Sequence, residues 1–238
     1  MCSIYAIKNL KSMDETTYNS LLNLVSIEKK RKIERYKKKE DAYRTLLGDV
    51  MIRSIICKRY KISNQDIKYT YNKYGKPDWV GDKFFCFNIS HSGDWIVCIV
   101  GNTSVGIDIE QIRPIKLETI SQVFSMKEIE DLNLKVLTEK NDYFYDLWTL
   151  KESYIKAIGT GLSTSFNSFT IKKNEEEGIS INQGDTNSAY FFKQYHIDSD
   201  YKLSVCANSN QFPHKVILKN IHEIIHDISE TVSISIYS

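Results

Sequence analysis

Two pairs of charged residues have the types and the spacing needed for phosphate chemistry. Asp108 and Glu110 stand in the segment Gly-Ile-Asp-Ile-Glu, and Glu152 and Lys156 stand in Trp-Thr-Leu-Lys-Glu-Ser-Tyr-Ile-Lys. Neighbouring carboxylates repel one another, and a hard cation such as Mg²⁺ relieves that repulsion because it prefers oxygen ligands. Mg²⁺ also keeps open positions that water and phosphate oxygens fill. The two pairs therefore predict a magnesium site built for a phosphate substrate.

A β-strand is expected to carry the first pair. Val105, Ile107 and Ile109 are apolar and alternate with the other residues of the segment. Successive side chains of a strand point to opposite faces, so a strand that buries these three residues projects Asp108 and Glu110 side by side on its other face.

A helix from about residue 143 to 158 is expected to carry the second pair. Its buried stripe is predicted by four residues at helical spacing, Leu147, Leu150, Tyr154 and Ile158. Gly159 should end the helix, because glycine readily takes the left-handed conformation. Glu152 and Lys156 share another face, with Lys151 expected beside the same carboxylate. The simpler alternative for Glu152 and Lys156 is a surface ion pair worth roughly a few tenths of a kcal/mol.

Five segments in order and in register connect these pairs with a known family. They are Lys39-Glu-Asp-Ala-Tyr-Arg-Thr-Leu-Leu-Gly48, Gly75-Lys-Pro77, Phe87-Asn-Ile-Ser-His-Ser92, Gly106-Ile-Asp-Ile-Glu110 and Trp148-x-x-Lys-Glu-Ser-x-x-Lys-Ala-x-Gly159. From about residue 25 to 165 the chain resembles the 4'-phosphopantetheinyl transferases, most closely the surfactin-synthetase-activating type. Each segment alone is a weak signal, and the five together are a strong one.

The resemblance implies transfer of the 4'-phosphopantetheine group of coenzyme A to a serine hydroxyl of an apo acyl or peptidyl carrier protein, with release of 3',5'-ADP. It implies that Asp108, Glu110 and Glu152 hold Mg²⁺ on the pyrophosphate. Lys156 would stabilise or protonate the departing phosphate, and Glu152 would act as general base, directly or through a water molecule. An alternative of another class is a coenzyme A-binding protein with little turnover, against which Glu152 and Lys156 argue.

The coenzyme A site implied by the resemblance draws on several segments. Its residues are Lys29, Lys32, Arg44 and Thr45 on the 3'-phosphate, Lys76, Ser90 and His91 on the phosphates, and Lys151 and Lys156 from the predicted helix. The run from residue 28 to 44 has nine basic residues against four acidic ones, which favours an anionic ligand. A solvated lysine-rich face is the simpler alternative. Nucleic-acid binding lacks a stacking or helix-turn-helix motif, so no nucleic-acid partner is expected.

Composition and pattern predict an α+β fold. Helical and strand-like segments alternate, with long helices expected near 40 to 60 and 143 to 158. The resemblance implies two similar α+β halves, residues 1–103 and 104–238, related by a pseudo-twofold with the ligand cleft between them. We expect a monomer, because one chain supplies both sides of the cleft. Five cysteines without Cys-x-x-Cys spacing, no apolar run of membrane-spanning length and no signal peptide predict a cytoplasmic protein without a membrane partner.

A second metal motif competes with the first. His222, Glu223 and His226 fit the H-E-x-x-H pattern of zinc metalloproteases. Such a site needs a third protein ligand, and no histidine follows His226, while the neighbouring isoleucines give the helix a packing role. Leu162, Phe166 and Phe169 follow the main motif in the region where similar proteins dock the carrier, or they belong to the core.

Overall fold

Two long helices on opposite sides of two packed sheets organise the chain. The computed structural model describes residues 1–8, 13–115, 117–174, 178–182 and 189–234. Its helices are α1 Glu15–Leu22, α2 Ile27–Glu34, α3 Lys39–Tyr60, α4 Leu117–Val123, α5 Met126–Asn133, α6 Leu137–Ile158 and α7 Ile221–Ile234. Its strands are β1 Ser3–Lys8, β2 Tyr69–Tyr71, β3 Pro77–Trp79, β4 Cys86–Ser92, β5 Trp95–Gly101, β6 Val105–Gln111, β7 Thr170–Asn174, β8 Gly178–Asn182, β9 Phe191–Tyr195, β10 Tyr201–Ala207 and β11 Ile217–Leu218.

The two main sheets have the orders β11-β1-β5-β4 and β6-β10-β9. Strand β5 is buried along its whole length, because Ile96, Cys98 and Val100 pack in the core with α3 while Val97 and Ile99 pack in the core between the sheets. A third core joins α6 to α4, α5 and β7. The order of layers is therefore α3, first sheet, second sheet and α6, and the predicted α+β class is confirmed.

Strand β6 has the predicted two-faced character. Val105, Ile107 and Ile109 are fully buried in the core between the sheets. Its other face lies directly against α6, and an added Cβ at Gly106 would come within 1.9 Å of the Ser153 carbonyl oxygen. Only glycine allows the strand and the helix to approach so closely.

Helix α6 extends the predicted helix by more than one turn at its start. The prediction began at residue 143, where the apolar stripe begins, but the exposed turn from Leu137 onward is helical too. Leu147, Leu150 and Tyr154 are buried as predicted, and Ile158 is half-buried. The helix ends where predicted, at Gly159, whose φ is 71°.

The end of the chain returns to the first half. Strand β11 pairs in parallel with β1, and α7 packs against α3. The last described elements of residues 104–238 therefore complete the first sheet and its helical layer. The division near residue 103 stays a prediction. Within the described residues, no helix has the length and apolar character needed to cross a membrane.

Candidate active site

Helix α6 faces strand β6 across a cluster of charged side chains that includes both predicted pairs. The Lys156 Nζ lies 2.5 Å from Asp108 Oδ1 and donates a hydrogen bond to Ser90 Oγ at 3.0 Å. Ser90 Oγ in turn donates to the same Asp108 oxygen at 2.8 Å. The Asp108 side chain is 3% exposed and the Lys156 side chain is 27% exposed, so this triangle is buried at the carboxylate and partly open to solvent at the lysine.

The carboxylates behave as a crowded group. Burial, together with the negative charges of Asp108 and Glu110, raises the pKa of Glu152 to about 7, although Lys156 acts in the other direction. Burial also raises the pKa values of Asp108 and Glu110, against the effect of Lys156. For Lys156 burial acts in the other direction, but Asp108 and Glu152 outweigh it and the pKa is raised. The group therefore favours a bound positive charge, of which Lys156 supplies one.

A ladder of polar side chains on β4 fixes the two carboxylates of β6. Asn88, Ser90 and Ser92 accept hydrogen bonds from the backbone N–H groups of residues 107, 109 and 111 at 3.0, 3.4 and 3.1 Å. Ser92 Oγ also donates to Glu110 Oε2 at 2.7 Å, as Ser90 does to Asp108. Asn88 and Ser92 are not among the predicted site residues, although polar residues at every second position of a strand indicate such a ladder.

A pocket of about 450 Å³ opens beside this cluster, between α2, α3 and β4. Five of the residues assigned to coenzyme A line it, Lys29, Lys32, Arg44, Thr45 and His91. The Arg44 guanidinium is oriented by the Gly93 carbonyl at 3.0 Å and by Asp41 Oδ1 at 2.6 Å. Although His91 is exposed to the pocket, partial burial lowers its pKa, and Arg44 adds to this effect.

A second pocket of about 330 Å³ continues from the first. The two share Gly75, Pro77 and Asn88, and Glu152 and Lys156 line the second. The residues predicted for phosphate binding and those predicted for catalysis therefore lie along one cleft. Ser90 reaches it through Lys156, to which its hydroxyl is bonded.

Lys76 does not contribute its ammonium to this cleft. Its side chain lines the second pocket, but Nζ donates to the carbonyls of Val105, Lys156 and Ala157 at 3.1, 2.7 and 3.1 Å. An ammonium has three N–H donors, and all three are used. In this arrangement the Lys76 ammonium has no donor left for a phosphate, and the expected phosphate contact stays a prediction.

Lys151 lies on the opposite side of α6 from the cleft. Its Nζ donates to both Glu128 carboxylate oxygens at 2.8 and 2.7 Å and to the Phe169 carbonyl at 2.7 Å. Its side chain has no exposed surface. The expected placement of Lys151 beside Glu152 in the coenzyme A site is wrong, because this ammonium is fully used by a buried ion pair.

The H-E-x-x-H residues lie on the outer surface of α7. His222, Glu223 and His226 are exposed, and Glu223 caps its own helix by accepting from Asn220 N at 2.8 Å. His226 Nδ1 is 3.7 Å from Glu230, one turn away. Across the described ranges no three His, Cys, Asp or Glu side chains converge as a ready-made metal site. The zinc motif thus remains a pattern in sequence without a third ligand.

Mg²⁺ still fits the carboxylates of β6 and α6. Asp108 Oδ2 is buried and accepts no hydrogen bond within the described structure, which is costly for a carboxylate oxygen. Asp108, Glu110 and Glu152 supply hard oxygen donors of the type that Mg²⁺ prefers. A divalent cation here would satisfy the free oxygen and relieve the repulsion that raises the carboxyl pKa values.

Comparison with known proteins identifies the family. The model of the 4'-phosphopantetheinyl transferase superfamily matches residues 104–206, and that of the 4'-phosphopantetheinyl transferase N-terminal region matches residues 12–104. The 4'-phosphopantetheinyl transferase Sfp of Bacillus subtilis is 39% identical over 222 residues, which cover 93% of this chain and 99% of that protein. The chain belongs to the 4'-phosphopantetheinyl transferases. The predicted enzyme class and the predicted transfer from coenzyme A to an apo carrier protein are thereby confirmed.

A second relative agrees, and neither the metalloprotease nor the low-turnover alternative is supported. The 4'-phosphopantetheinyl transferase gsp of Aneurinibacillus migulanus is 37% identical over 207 residues, covering 87% of this chain and 86% of that protein. A solved holo-(acyl-carrier-protein) synthase from Bacillus anthracis is 16% identical with a TM-score of 0.39, covering 44% of this chain and 93% of that one.

Proposed function

We propose that this transferase binds coenzyme A along the cleft, with the 3'-phosphate in the first pocket and the pyrophosphate beside Lys156. One observation carries the proposal. The basic side chains of Lys29, Lys32 and Arg44 line the first pocket, and it shares a wall with the pocket of Glu152 and Lys156. The cleft has basic side chains at one end and carboxylates that could bind a metal ion at the other, which suits a ligand that carries phosphates at two places.

Asp108, Glu110 and Glu152 would hold Mg²⁺ in this reading. The ion would neutralise charge that develops on the pyrophosphate as its phosphorus is attacked. The β4 ladder would keep Asp108 and Glu110 in place, because Ser90 and Ser92 each hold one carboxylate oxygen. Asp108 Oδ2 accepts no hydrogen bond among the described residues and would be available to the ion.

Lys156 would stabilise the departing phosphate by charge and hydrogen bonding, and not by giving up its proton. Its raised pKa keeps the ammonium protonated at neutral pH. Glu152, which lines the second pocket, would take the proton of the attacking serine hydroxyl, directly or through a water molecule.

The carrier would approach the second pocket. Leu162 lines it and is 91% exposed, and Phe166 lines it while stacking on Trp148 at 5.0 Å between ring centroids. Phe169, which the sequence also offered, is 1% exposed and belongs to the core. Leu162 and Phe166 would therefore form the apolar part of the carrier contact.

Comparison of two substrates tests the orientation of coenzyme A. Lys29→Ala with Lys32→Ala should raise KM for coenzyme A about tenfold or more, while KM for dephospho-coenzyme A, which lacks the 3'-phosphate, changes little. Lys37→Ala with Lys38→Ala is the matched control, because these exposed lysines belong to the same basic run but do not line the pocket. Equal losses with both substrates would refute the placement of the 3'-phosphate.

A further inference from the structure

The C-terminal end of α6 is held by side chains from the first half of the chain. The last carbonyls of a helix have no partners within the helix. Lys76 Nζ donates hydrogen bonds to the carbonyls of Lys156 and Ala157, at 2.7 and 3.1 Å, and Asn72 Nδ2 donates to the carbonyl of Gly159 at 2.8 Å. Lys76 also binds the carbonyl of Val105 at 3.1 Å, so one ammonium joins the end of α6 to the start of β6.

The loop that carries Lys76 and Asn72 is itself well defined. It connects β2 to β3, and Asn72 Oδ1 accepts the backbone N–H groups of Tyr74 and Lys76, both at 2.9 Å. Asn72 N donates to the Lys76 carbonyl at 3.0 Å, and Gly75, with φ 87°, allows the turn to close. Asn72 therefore uses its amide oxygen to shape the loop and its amide nitrogen to bind the helix.

The contact is local to the proposed catalytic group. One of the bound carbonyls belongs to Lys156, whose Nζ reaches Asp108 and Ser90, and Glu152 lies one turn earlier on the same helix. A cation at a helix C-terminus is favoured by the helix dipole, although burial lowers the pKa of Lys76. An added Cβ at Gly159 would lie 3.2 Å from both Asn72 and Lys76, so the loop and the helix end are in close contact.

We propose that Lys76 and Asn72 are positioning residues, which set the place of Glu152 and Lys156 opposite Asp108 from across the cleft. The proposal rests on the proposed function, because it assigns these residues a part in that reaction. It differs from a phosphate contact of Lys76, because the ammonium acts on the enzyme's own helix. A misplacement of about 1 Å in a catalytic group can cost on the order of 10²-fold in rate.

The kinetic effects of Lys76→Met and Asn72→Ala separate these roles. Both should lower kcat by roughly 10- to 100-fold, while the Kd for coenzyme A measured by calorimetry stays within about twofold of the wild type. Lys76→Arg, which restores donors, should recover part of kcat. Lys73→Met is the matched control, since Lys73 is exposed in the same loop and its cation lies over the Tyr74 ring.

Each outcome decides the proposal. A loss of coenzyme A affinity in Lys76→Met with kcat unchanged would overturn it in favour of a phosphate contact, and wild-type kinetics in both variants would overturn it as well. If Lys76→Met does not fold, Asn72→Ala alone decides, because the side-chain hydrogen bonds of Asn72 within the described residues go to the loop and the helix end. Failure of the wild type to modify any carrier would refute the proposed function and this proposal together, whereas wild-type turnover with unchanged kcat in both variants would refute this proposal alone.

Discussion

Lys151→Met should destabilise the protein strongly without weakening coenzyme A binding. Methionine keeps most of the length of the side chain and removes its charge. Glu128 would then be left as a buried carboxylate that is 1% exposed, with only the backbone N–H groups of Ser125 and Ile171, at 2.8 and 2.7 Å, among its present donors. The Phe169 carbonyl would also lose its bond from Nζ.

The magnitude follows from the burial of both partners. Removing one member of a buried ion pair costs about 3–5 kcal/mol. For a chain of this size, 1 kcal/mol corresponds to about 2–4 °C in Tm, so the expected decrease is about 6–20 °C. Adding Glu128→Gln to Lys151→Met should recover part of this loss, because the double variant leaves no buried charge unpaired.

Urea unfolding followed by far-ultraviolet circular dichroism measures the stability, and calorimetry on the folded variant at low temperature measures the Kd for coenzyme A. We expect a lower midpoint in urea and an unchanged Kd. A loss of less than about 1 kcal/mol together with weaker coenzyme A binding would refute the reasoning, because it would mean that Lys151 acts in the cleft and not in the core.

Three further predictions concern the polar ladder on β4, the ion pairs of Asp227 on α7 and the H-E-x-x-H motif. Ser92→Ala removes the hydroxyl that donates to Glu110, so it should raise the Mg²⁺ concentration needed for half-maximal rate and weaken Mn²⁺ binding measured by electron paramagnetic resonance. Ser92→Thr keeps the hydroxyl and should stay close to wild type. An unchanged dependence on the ion in Ser92→Ala would contradict the role given to the ladder. Burial opposes ionisation of Asp227, but hydrogen bonds from Lys219 and Lys58 outweigh burial and lower its pKa. The ionised carboxylate therefore stabilises the fold above the unfolded pKa of about 4, and this stabilisation is lost as the pH falls below that value. Thermal unfolding of Asp227→Asn should show lower stability than wild type at pH 7 and a smaller decrease of stability in acid, and a pH profile identical to that of the wild type would contradict this. His222→Ala with His226→Ala should transfer phosphopantetheine at the wild-type rate and contain as much zinc as the wild type. If the wild type holds stoichiometric zinc and a peptidase activity, and the double variant loses both, the H-E-x-x-H residues form a zinc protease site and the prediction is wrong.

The sequence predicted the parts of the site that follow from local periodicity. The alternation of Val105, Ile107 and Ile109 placed Asp108 and Glu110 on one face of β6, and the structure has them there. The end of α6 at Gly159 was also predicted from the sequence. These features depend on neighbours in sequence, so a single segment is enough to establish them.

Side-chain direction within the motifs was harder to predict. Lys151 stands next to Glu152, yet it lies four residues after Leu147 and three before Tyr154, which places it on the buried stripe. Helical periodicity applied to charged residues as well as apolar ones would have found this. Lys76 offers no such signal, because its three acceptors belong to distant segments that only the fold brings together.

The return of β11 and α7 to the first half depends on long-range pairing too. A two-residue strand has almost no sequence signature, and Asp227 becomes informative only once Lys58 and Lys219 are seen beside it. The isoleucines of this segment indicated a packing role for α7 but not which sheet or helix it covers.

The most direct test of the proposed reaction is the intact mass of an apo carrier protein after incubation with coenzyme A and Mg²⁺. Wild-type enzyme should add the mass of one phosphopantetheine group to the carrier serine and release an equal amount of 3',5'-ADP, whereas Asp108→Ala and Glu152→Ala should leave the carrier unmodified although both fold and bind to the carrier. The proposed reaction would be contradicted if the wild type modified neither acyl nor peptidyl carrier proteins. The proposed metal site would be contradicted if Asp108→Ala modified a carrier at the wild-type rate.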